Sequence, residues 1–302
     1  MNILLIGGCG YIGSALFSRF RDKHSVWSCD LNLFGCNNAM NWCCNYNKLE
    51  KNDIEKFDVV ILTAAHSSVP LCNEDHAGAL QNNIYNFINL VQKLNKNQKL
   101  IYASSSCVYV KTDLKGAVET NPLSPNDMLS FSKATIDQYL QTFNPCEYYG
   151  LRFGSVNGWS ENFRSDLMVN SMAVNAIKHR ELHVSNGDNY RPILGMEDLL
   201  NAVAKIVECP EDRRGIYNLA SFNVNIRQVG HAVSDILECK VNETPGLGSY
   251  DFCINSDKFK KTYGFEFFDT LESIVTSITD RQDIILNRDF PARKASLIYG
   301  KI

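Results

Sequence analysis

The sequence predicts an α/β fold, a doubly wound parallel sheet with a smaller C-terminal lobe, on three observations. An apolar run of strand length, Asn2-Ile3-Leu4-Leu5-Ile6, passes straight into Gly7-Gly8-Cys9-Gly10-Tyr11-Ile12-Gly13 and then into a helical pattern. Strand and helix signals alternate from there to residue 158, the order that βαβ units impose on a parallel sheet. After Gly158 the texture changes, so a second, smaller unit is expected to begin there.

Leu16, Phe17 and Phe20 carry the first helical pattern, and Ser25-Val26-Trp27-Ser28-Cys29 reads as a second strand ending at Asp30. Gly7 permits a tight turn, Gly10 a close approach of backbone to a diphosphate, and Gly13 close packing of helix on strand. The diphosphate would sit at the helix N-terminus, where free N–H groups and the macrodipole favour negative charge. An acid about 20 residues beyond such glycines can accept both ribose hydroxyls of an adenosine. Asp30 stands there, would repel a 2′-phosphate, and has no Arg or Lys after it in Leu31-Asn32-Leu33. A glycine triplet alone can be only a turn. Strand, glycines, helix, strand and acid in this order make a Rossmann-type site for NAD rather than NADP.

Further along, residues 58–65 read as a buried strand and 79–94 as a helix. Residues 99–103 form another strand, ending in Ser104-Ser105-Ser106; Pro122 and Pro125 mark a turn-rich stretch before a helix near 130–142 and a strand at 146–153. Beyond Gly158, a helix at 167–177 and a strand at 181–184 are expected, and a strand at 215–219 returns to the sheet. The tail reads as small helices and strands around Phe259, Tyr263, Phe265, Phe267 and Phe268. These elements predict an NAD-binding domain over 1–158, its sheet completed by 190–221. Residues 159–189 and 222–302 would form a substrate-binding lobe over the carboxyl edge of the sheet, where ligands bind in such folds.

Composition narrows the function classes. The chain has 302 residues, 45% of them apolar, with 30 basic against 33 acidic residues, so charge offers no basis for binding nucleic acid or a membrane surface. No signal peptide or membrane-spanning run is read, and a cytoplasmic protein is expected. Eleven cysteines are an odd number without a C-x-x-C spacing, and Cys43-Cys44 are neighbours; reduced, mostly buried thiols are expected. His179 and His183 lie four apart, which could place both on one helical face, but no acid of the H-E-x-x-H type lies between them. No metal site is expected.

The ordered pieces Gly7-x-x-Gly10-x-x-Gly13, Asp30, Ala64-Ala65 and Asn83-Ile84-Tyr85-Asn86-Phe87-Ile88-Asn89-Leu90 continue through Ser104-Ser105-Ser106-Cys107-Val108-Tyr109, Ser124-Pro125 and Ser132-Lys133. Leu151-Arg152-Phe153-Gly154-Ser155-Val156-Asn157-Gly158 and Arg191-Pro192-Ile193-Leu194-Gly195-Met196-Glu197-Asp198 complete the series. Together they resemble the extended short-chain dehydrogenase/reductase family, the nucleotide-sugar epimerases, dehydratases and reductases, over most of the chain. The resemblance implies that Ser105 hydrogen-bonds the reacting sugar alcohol and that Lys133 bridges the nicotinamide ribose hydroxyls and lowers neighbouring pKa values. It places Tyr11 and Ile12 of the glycine turn, with Ala64 and Ala65, against the cofactor, and Asn45 near the adenine amino group. Ser67 would face the substrate, Ser155 would stand in for a diphosphate-facing Asn, and Arg191 would clamp the nucleotide diphosphate. A homodimer through the helices near 80–94 and 130–142 is implied as well.

One departure bears on chemistry. The family places a general-base Tyr four positions before the lysine, and here that position is Leu129. General-base catalysis typically contributes about 10²–10⁴-fold, so its loss slows hydride transfer without abolishing it. Ser105 could pass the proton to water or to a partly desolvated Lys133. Cys107, His66 and Tyr109 are other candidates, with His66 expected at the cleft mouth and able to titrate near neutrality. The expected function is NAD-dependent oxidation of a ring hydroxyl, at C4, of a nucleotide sugar. The weakened tyrosine motif is similar to that of GDP-heptose 4-dehydrogenases of capsule biosynthesis. The alternatives are a 4-epimerase or 4-keto reductase with a substitute acid/base, and a non-catalytic NAD-binding sensor.

Overall fold

The computed structural model describes residues 1–109, 112–246 and 250–290. Among them, seven strands form the expected parallel sheet: β1 (Asn2–Ile6), β2 (Ser25–Asp30), β3 (Asn41–Cys43), β4 (Val59–Leu62), β5 (Lys99–Ser105), β6 (Glu147–Phe153) and, from later in the chain, Gly215–Leu219. Between β6 and that last strand come β7 (Ser155–Asn157), β8 (Glu181–Ser185) and β9 (Tyr190–Gly195), which makes Gly215–Leu219 β10. After it come β11 (Phe222–Asn225) and β12 (Lys240–Thr244). The main sheet runs β10-β6-β5-β4-β1-β2-β3. The chain moves outward from β1 to β3 and then crosses back to β4, so the crevice at this reversal lies beside the carboxyl ends of β1 and β4.

Alternation along the strands divides the core. Ile3, Leu5, Val59, Ile61 and Ile101 face the helices Tyr11–Phe20 and Met196–Glu208. Leu4, Ile6, Val60, Leu62 and Leu100 face the helices Asn86–Lys93 and Met128–Phe143. Both faces are covered, which is why the central strands read as unbroken apolar runs.

The second unit holds two small sheets, β11-β9-β7 and β12-β8. Here the structure corrects an expectation: β10 joins the main sheet beside β6, but β9 does not. Ile193 of β9 packs with Val169, Leu182 and Val224 in a separate apolar cluster, and β11 supplies an antiparallel partner. Four of the tail aromatics gather as expected, Phe259 against Tyr263, Phe265 and Phe267. Phe259 and Tyr263 pack against Tyr217 of β10 and so brace the end of the main sheet, while Phe268 is 73% exposed. Residues 291–302 of the expected lobe lie outside the described residues. Among the described residues, no helix is long and apolar enough to cross a membrane.

The expected helix over 79–94 is interrupted. Helix His76–Leu80 passes through a wide π turn, Gln81–Tyr85, before resuming at Asn86–Lys93. The wide turn presents the Asn82 carbonyl to the Tyr46 hydroxyl at 2.6 Å and Asn83 Nδ2 to Ser132 Oγ at 3.1 Å. Such turns inside helices recur at functional sites.

A buried ion pair ties helix Met128–Phe143 to the sheet. Arg152 Nε donates to Asp137 Oδ2 at 2.8 Å, with side-chain exposures of 1% and 0%. Tyr102 and Ser104 of β5 donate to the same carboxylate at 2.9 and 3.0 Å, and Arg152 also reaches the Tyr109 hydroxyl. Removing one partner strands the other charge in the core. Asp137→Ala is therefore expected to destabilise the protein by about 3–5 kcal/mol, read as a shifted urea midpoint at unchanged slope; a shift no larger than that of a surface substitution would refute it.

Candidate active site

The glycine turn closes over the end of β1. Gly7 takes φ +85°, and a Cβ there would lie 2.5 Å from the Ala64 backbone nitrogen at the end of β4. A Cβ on Gly13 would overlap the Gly7 carbonyl oxygen, so helix Tyr11–Phe20 can come this close only with glycine there. Gly10 is the N-cap of that helix and has no side chain to offer its free N–H groups, and no acid occupies the first turn. The helix start is thus open to an anion.

The crevice beside it is lined by Gly7, Gly10, Tyr11, Ile12, Asp30, Asn45, Ala64, Ala65 and Ser67, all expected from the sequence. Asp30 holds its carboxylate against the turn, accepting from Cys9 N–H at 3.1 Å and Asn32 N–H at 2.8 Å. Asn45 is buried and caps the short turn Tyr46–Lys48 by accepting from Asn47 N–H at 3.0 Å. The Tyr11 hydroxyl is directed away from the crevice, donating to the Gly158 carbonyl at 2.7 Å and accepting from Asn170 at 3.2 Å. Gly13 packs behind the crevice rather than lining it.

The wall also holds residues that no sequence signal marked. Leu33, Phe34, Tyr46, Asn82 and Arg164 line it. Arg164, from the second unit, donates to Ser67 Oγ at 3.3 Å and pairs with Asp166. Leu33 and Phe34 arrive on the segment after β2, which is held to the glycine turn twice. Asn162 Nδ2 donates to the carbonyls of both Cys9 and Gly35. Cys9 and Cys36 form a disulfide, with Cα atoms 5.0 Å apart across a separation of 27 residues. This corrects the expectation of wholly reduced thiols. Their spacing carries no recognisable pattern, because the pairing exists only once residues 31–40 fold back over the turn.

The residues expected at the reactive end lie beyond the crevice wall. Ser105 ends β5 half-buried, its Oγ accepting from Cys107 N–H at 3.3 Å. Lys133 is buried and donates to the Ala103 carbonyl, two residues from Ser105, at 2.6 Å. Burial lowers its pKa, and the Asp137 carboxylate one helical turn on works the other way. Leu129 lies one turn before Lys133. Arg191 in β9 donates to the Tyr190 carbonyl at 3.1 Å, and its guanidinium lies 5.7 Å from the Tyr250 ring centre. Ser155 Oγ accepts from Asn157 Nδ2 at 3.1 Å in the same small sheet. The structure thus gathers most of the residues expected at the cofactor in one crevice and keeps Gly13, Ser105, Lys133, Ser155 and Arg191 off its wall.

The substitute bases fare unequally. His66 is not at the mouth: it is 0% exposed, 3.3 Å from Asp75 Oδ2, and burial lowers its pKa despite that carboxylate. Tyr109 is committed to Arg152 and, at 3.1 Å, to Asn218. The Cys107 thiol is pushed up to about 12 by burial. His179 ends a helix while His183 lies in β8, so the two do not share a helical face.

Residues 3–220 match the model of the NAD dependent epimerase/dehydratase family. A UDP-glucose 4-epimerase of Lactobacillus helveticus is 27% identical over 177 residues, 54% of either chain, so the chain spans about half the length of that curated relative. The fold is shared with UDP-glucose 4-epimerase of Thermus thermophilus, solved with NAD: TM-score 0.81, 21% identity, 94% of this chain and 99% of that one. It is shared equally with an ADP-L-glycero-D-manno-heptose-6-epimerase of Helicobacter pylori: TM-score 0.82, 24% identity, 93% of this chain and 96% of that one.

Two substitutions test the crevice. Asp30→Ala removes a charge-assisted acceptor worth about 1.5–3 kcal/mol, so calorimetry should show NAD binding weakened roughly 10–100-fold with the fold intact. Cys36→Ser opens the covalent loop and should cost about 2–4 kcal/mol in unfolding without reductant. Adding reductant should bring the parent protein to the same stability; equal stability of the parent with and without reductant would refute the link.

Proposed function

The chain belongs to the NAD-dependent epimerase/dehydratase family, and on that premise we propose that it oxidises a ring hydroxyl, at C4, of a nucleotide-activated sugar. GDP-heptose for polysaccharide biosynthesis is the substrate we favour. The observation that carries the reading is the retained pair at the end of β5. Lys133 is held to the Ala103 carbonyl beside Ser105, while position 129 on the same helix carries no titratable group.

The crevice suits NAD, because the open helix start, the glycine cradle and the Asp30 carboxylate match its diphosphate and adenosine ribose. Bound there, NAD supplies the hydride acceptor. Gly7, Gly10, Ile12, Ala64 and Ala65 line the crevice and would hold the cofactor, with Tyr11 shaping the wall and Asn45 assigned to the adenine end. Lys133 would meet the nicotinamide ribose, where its lowered pKa would ease proton exchange. Ser105 hydrogen-bonds the reacting hydroxyl. Arg191 presents a planar fork to the nucleotide diphosphate, with Ser155 beside it and Ser67 facing the sugar. An epimerase must return hydride and proton to the opposite face, so it depends on an acid/base twice. Net oxidation depends on it once, which favours dehydrogenation in a chain with Leu129.

The same reading includes a homodimer. Leu80, Tyr85 and Phe131 are 41%, 59% and 46% exposed on adjoining stretches around the two helices near 80–94 and 130–142. A second copy of this surface would cover them.

Purified protein loaded with NAD is expected to accumulate reduced nicotinamide with one member of a GDP- and UDP-sugar panel. Interconversion of sugars without net reduction would make it an epimerase, and silence across the panel with NAD bound would make it a sensor. Ser105→Ala should lower turnover by about 10²–10³-fold at unchanged NAD affinity, and Leu129→Tyr should raise it. Light scattering should report a dimer that Phe131→Asp converts to a monomer; a native monomer would refute the interface.

A further inference from the structure

Oxidising an alcohol sends a hydride one way and the hydroxyl proton another, and the proton needs a route. Around Ser105 most of the titratable groups among the described residues are committed elsewhere. The Cys107 thiol is buried with a raised pKa, Tyr109 serves Arg152 and Asn218, and His66 is enclosed against Asp75. Lys133 donates to the Ala103 carbonyl.

One pair remains. Tyr250, from the segment after β12, donates its hydroxyl hydrogen bond to Asp127 Oδ2. Asp127 is the N-cap of helix Met128–Phe143, and its other oxygen, Oδ1, caps the Ser130 N–H at 2.9 Å. The two oxygens are therefore divided between the helix cap and the Tyr250 hydroxyl. Asp127 is two residues before Leu129 and six before Lys133, so the Tyr250 phenol is delivered to the helix end where Leu129 offers nothing. Asp127, Lys133 and Tyr250 all lie within electrostatic reach of the Cys107 thiol, whose backbone N–H bonds Ser105 Oγ at 3.3 Å. The Arg191 guanidinium lies over the Tyr250 ring, 5.7 Å from its centre. The phenol thus spans from the substrate clamp to the helix start.

We propose that Tyr250 and Asp127 form the proton relay of this site: Tyr250 Oη takes the sugar hydroxyl proton while passing its own to Asp127 Oδ2. This rests on the oxidoreductase reading above. The sugar C–H bond breaks as hydride leaves for NAD, the C=O bond forms, the sugar O–H proton ends on Tyr250 and the phenol's own proton ends on Asp127, so atoms and electrons balance. Burial and the Asp127 carboxylate both raise the Tyr250 pKa, which keeps the phenol protonated at neutral pH and suits a relay rather than a standing phenolate. Reduction of a keto sugar runs the same path backwards. Tyr250 is the catalytic residue, since it touches the reacting hydroxyl; Asp127 acts through it.

The test uses the full chain loaded with NAD, with Tyr250→Phe, which keeps the ring against Arg191 and Phe252, and Asp127→Asn, which keeps a competent cap. Expected is a fall in kcat of about 10²–10⁴-fold in both variants. NAD affinity and nucleotide-sugar affinity by calorimetry, and Tm, should stay near those of the parent. A Tyr250→Phe enzyme with kcat within about threefold of the parent, a negligible loss for a general base, overturns the relay and leaves the oxidoreductase reading standing. Loss of sugar affinity and Tm in step with kcat overturns it too, in favour of a structural strap. A parent protein that binds NAD and reduces it with no sugar overturns the function and the relay together.

Discussion

The structure rests on how closely helix Tyr11–Phe20 approaches the end of β1. Gly13 sits against the Gly7 carbonyl at a distance no side chain permits, and Gly7 itself is pressed on the backbone of β4. That contact sets the helix axis over the crevice and leaves the helix start without a side-chain partner. Exposure of those N–H groups is what suits the crevice to an anion. A Cβ on Gly13 would push the helix off the turn, and one on Gly7 would push the turn off the chain leaving β4.

A second constraint aligns the reactive end with the first. Lys133 and Asp137 lie one turn apart on the same helix, and Asp137 is held by Arg152 of β6 and by Tyr102 and Ser104 of β5. The buried pair therefore fixes the helical phase at which Lys133 reaches the Ala103 carbonyl. Stability here is secondary to placement, since a buried ion pair is weak evidence for stability but strict about geometry. Asp127 inherits the same phase, because it begins that helix.

The second unit completes what the sheet cannot. Tyr11 bonds the Gly158 carbonyl and Asn170, Asn162 clips the glycine turn to Gly35, Arg164 meets Ser67, and Tyr250 meets Asp127. These contacts pass between segments about one hundred residues or more apart in the chain. They make the crevice wall and the reactive end a property of two units rather than of the nucleotide-binding pattern alone.

The sequence by itself determined the parallel sheet, the glycine turn and the place of the Asp30 carboxylate, because each is encoded by local periodicity or short fixed spacing; Ser105 and Lys133 were marked by family resemblance alone. A strand followed by glycines and a helix can close in few ways, so local order sufficed. Tertiary structure alone decided the rest. It moved β9 into a small sheet, turned the tail aromatics onto β10, enclosed His66, joined Cys9 to Cys36 and brought Tyr250 to Asp127. None of these carries a periodic or spaced signature. Each depends on which distant surface is free to be covered when the segment arrives, and that is settled only by packing.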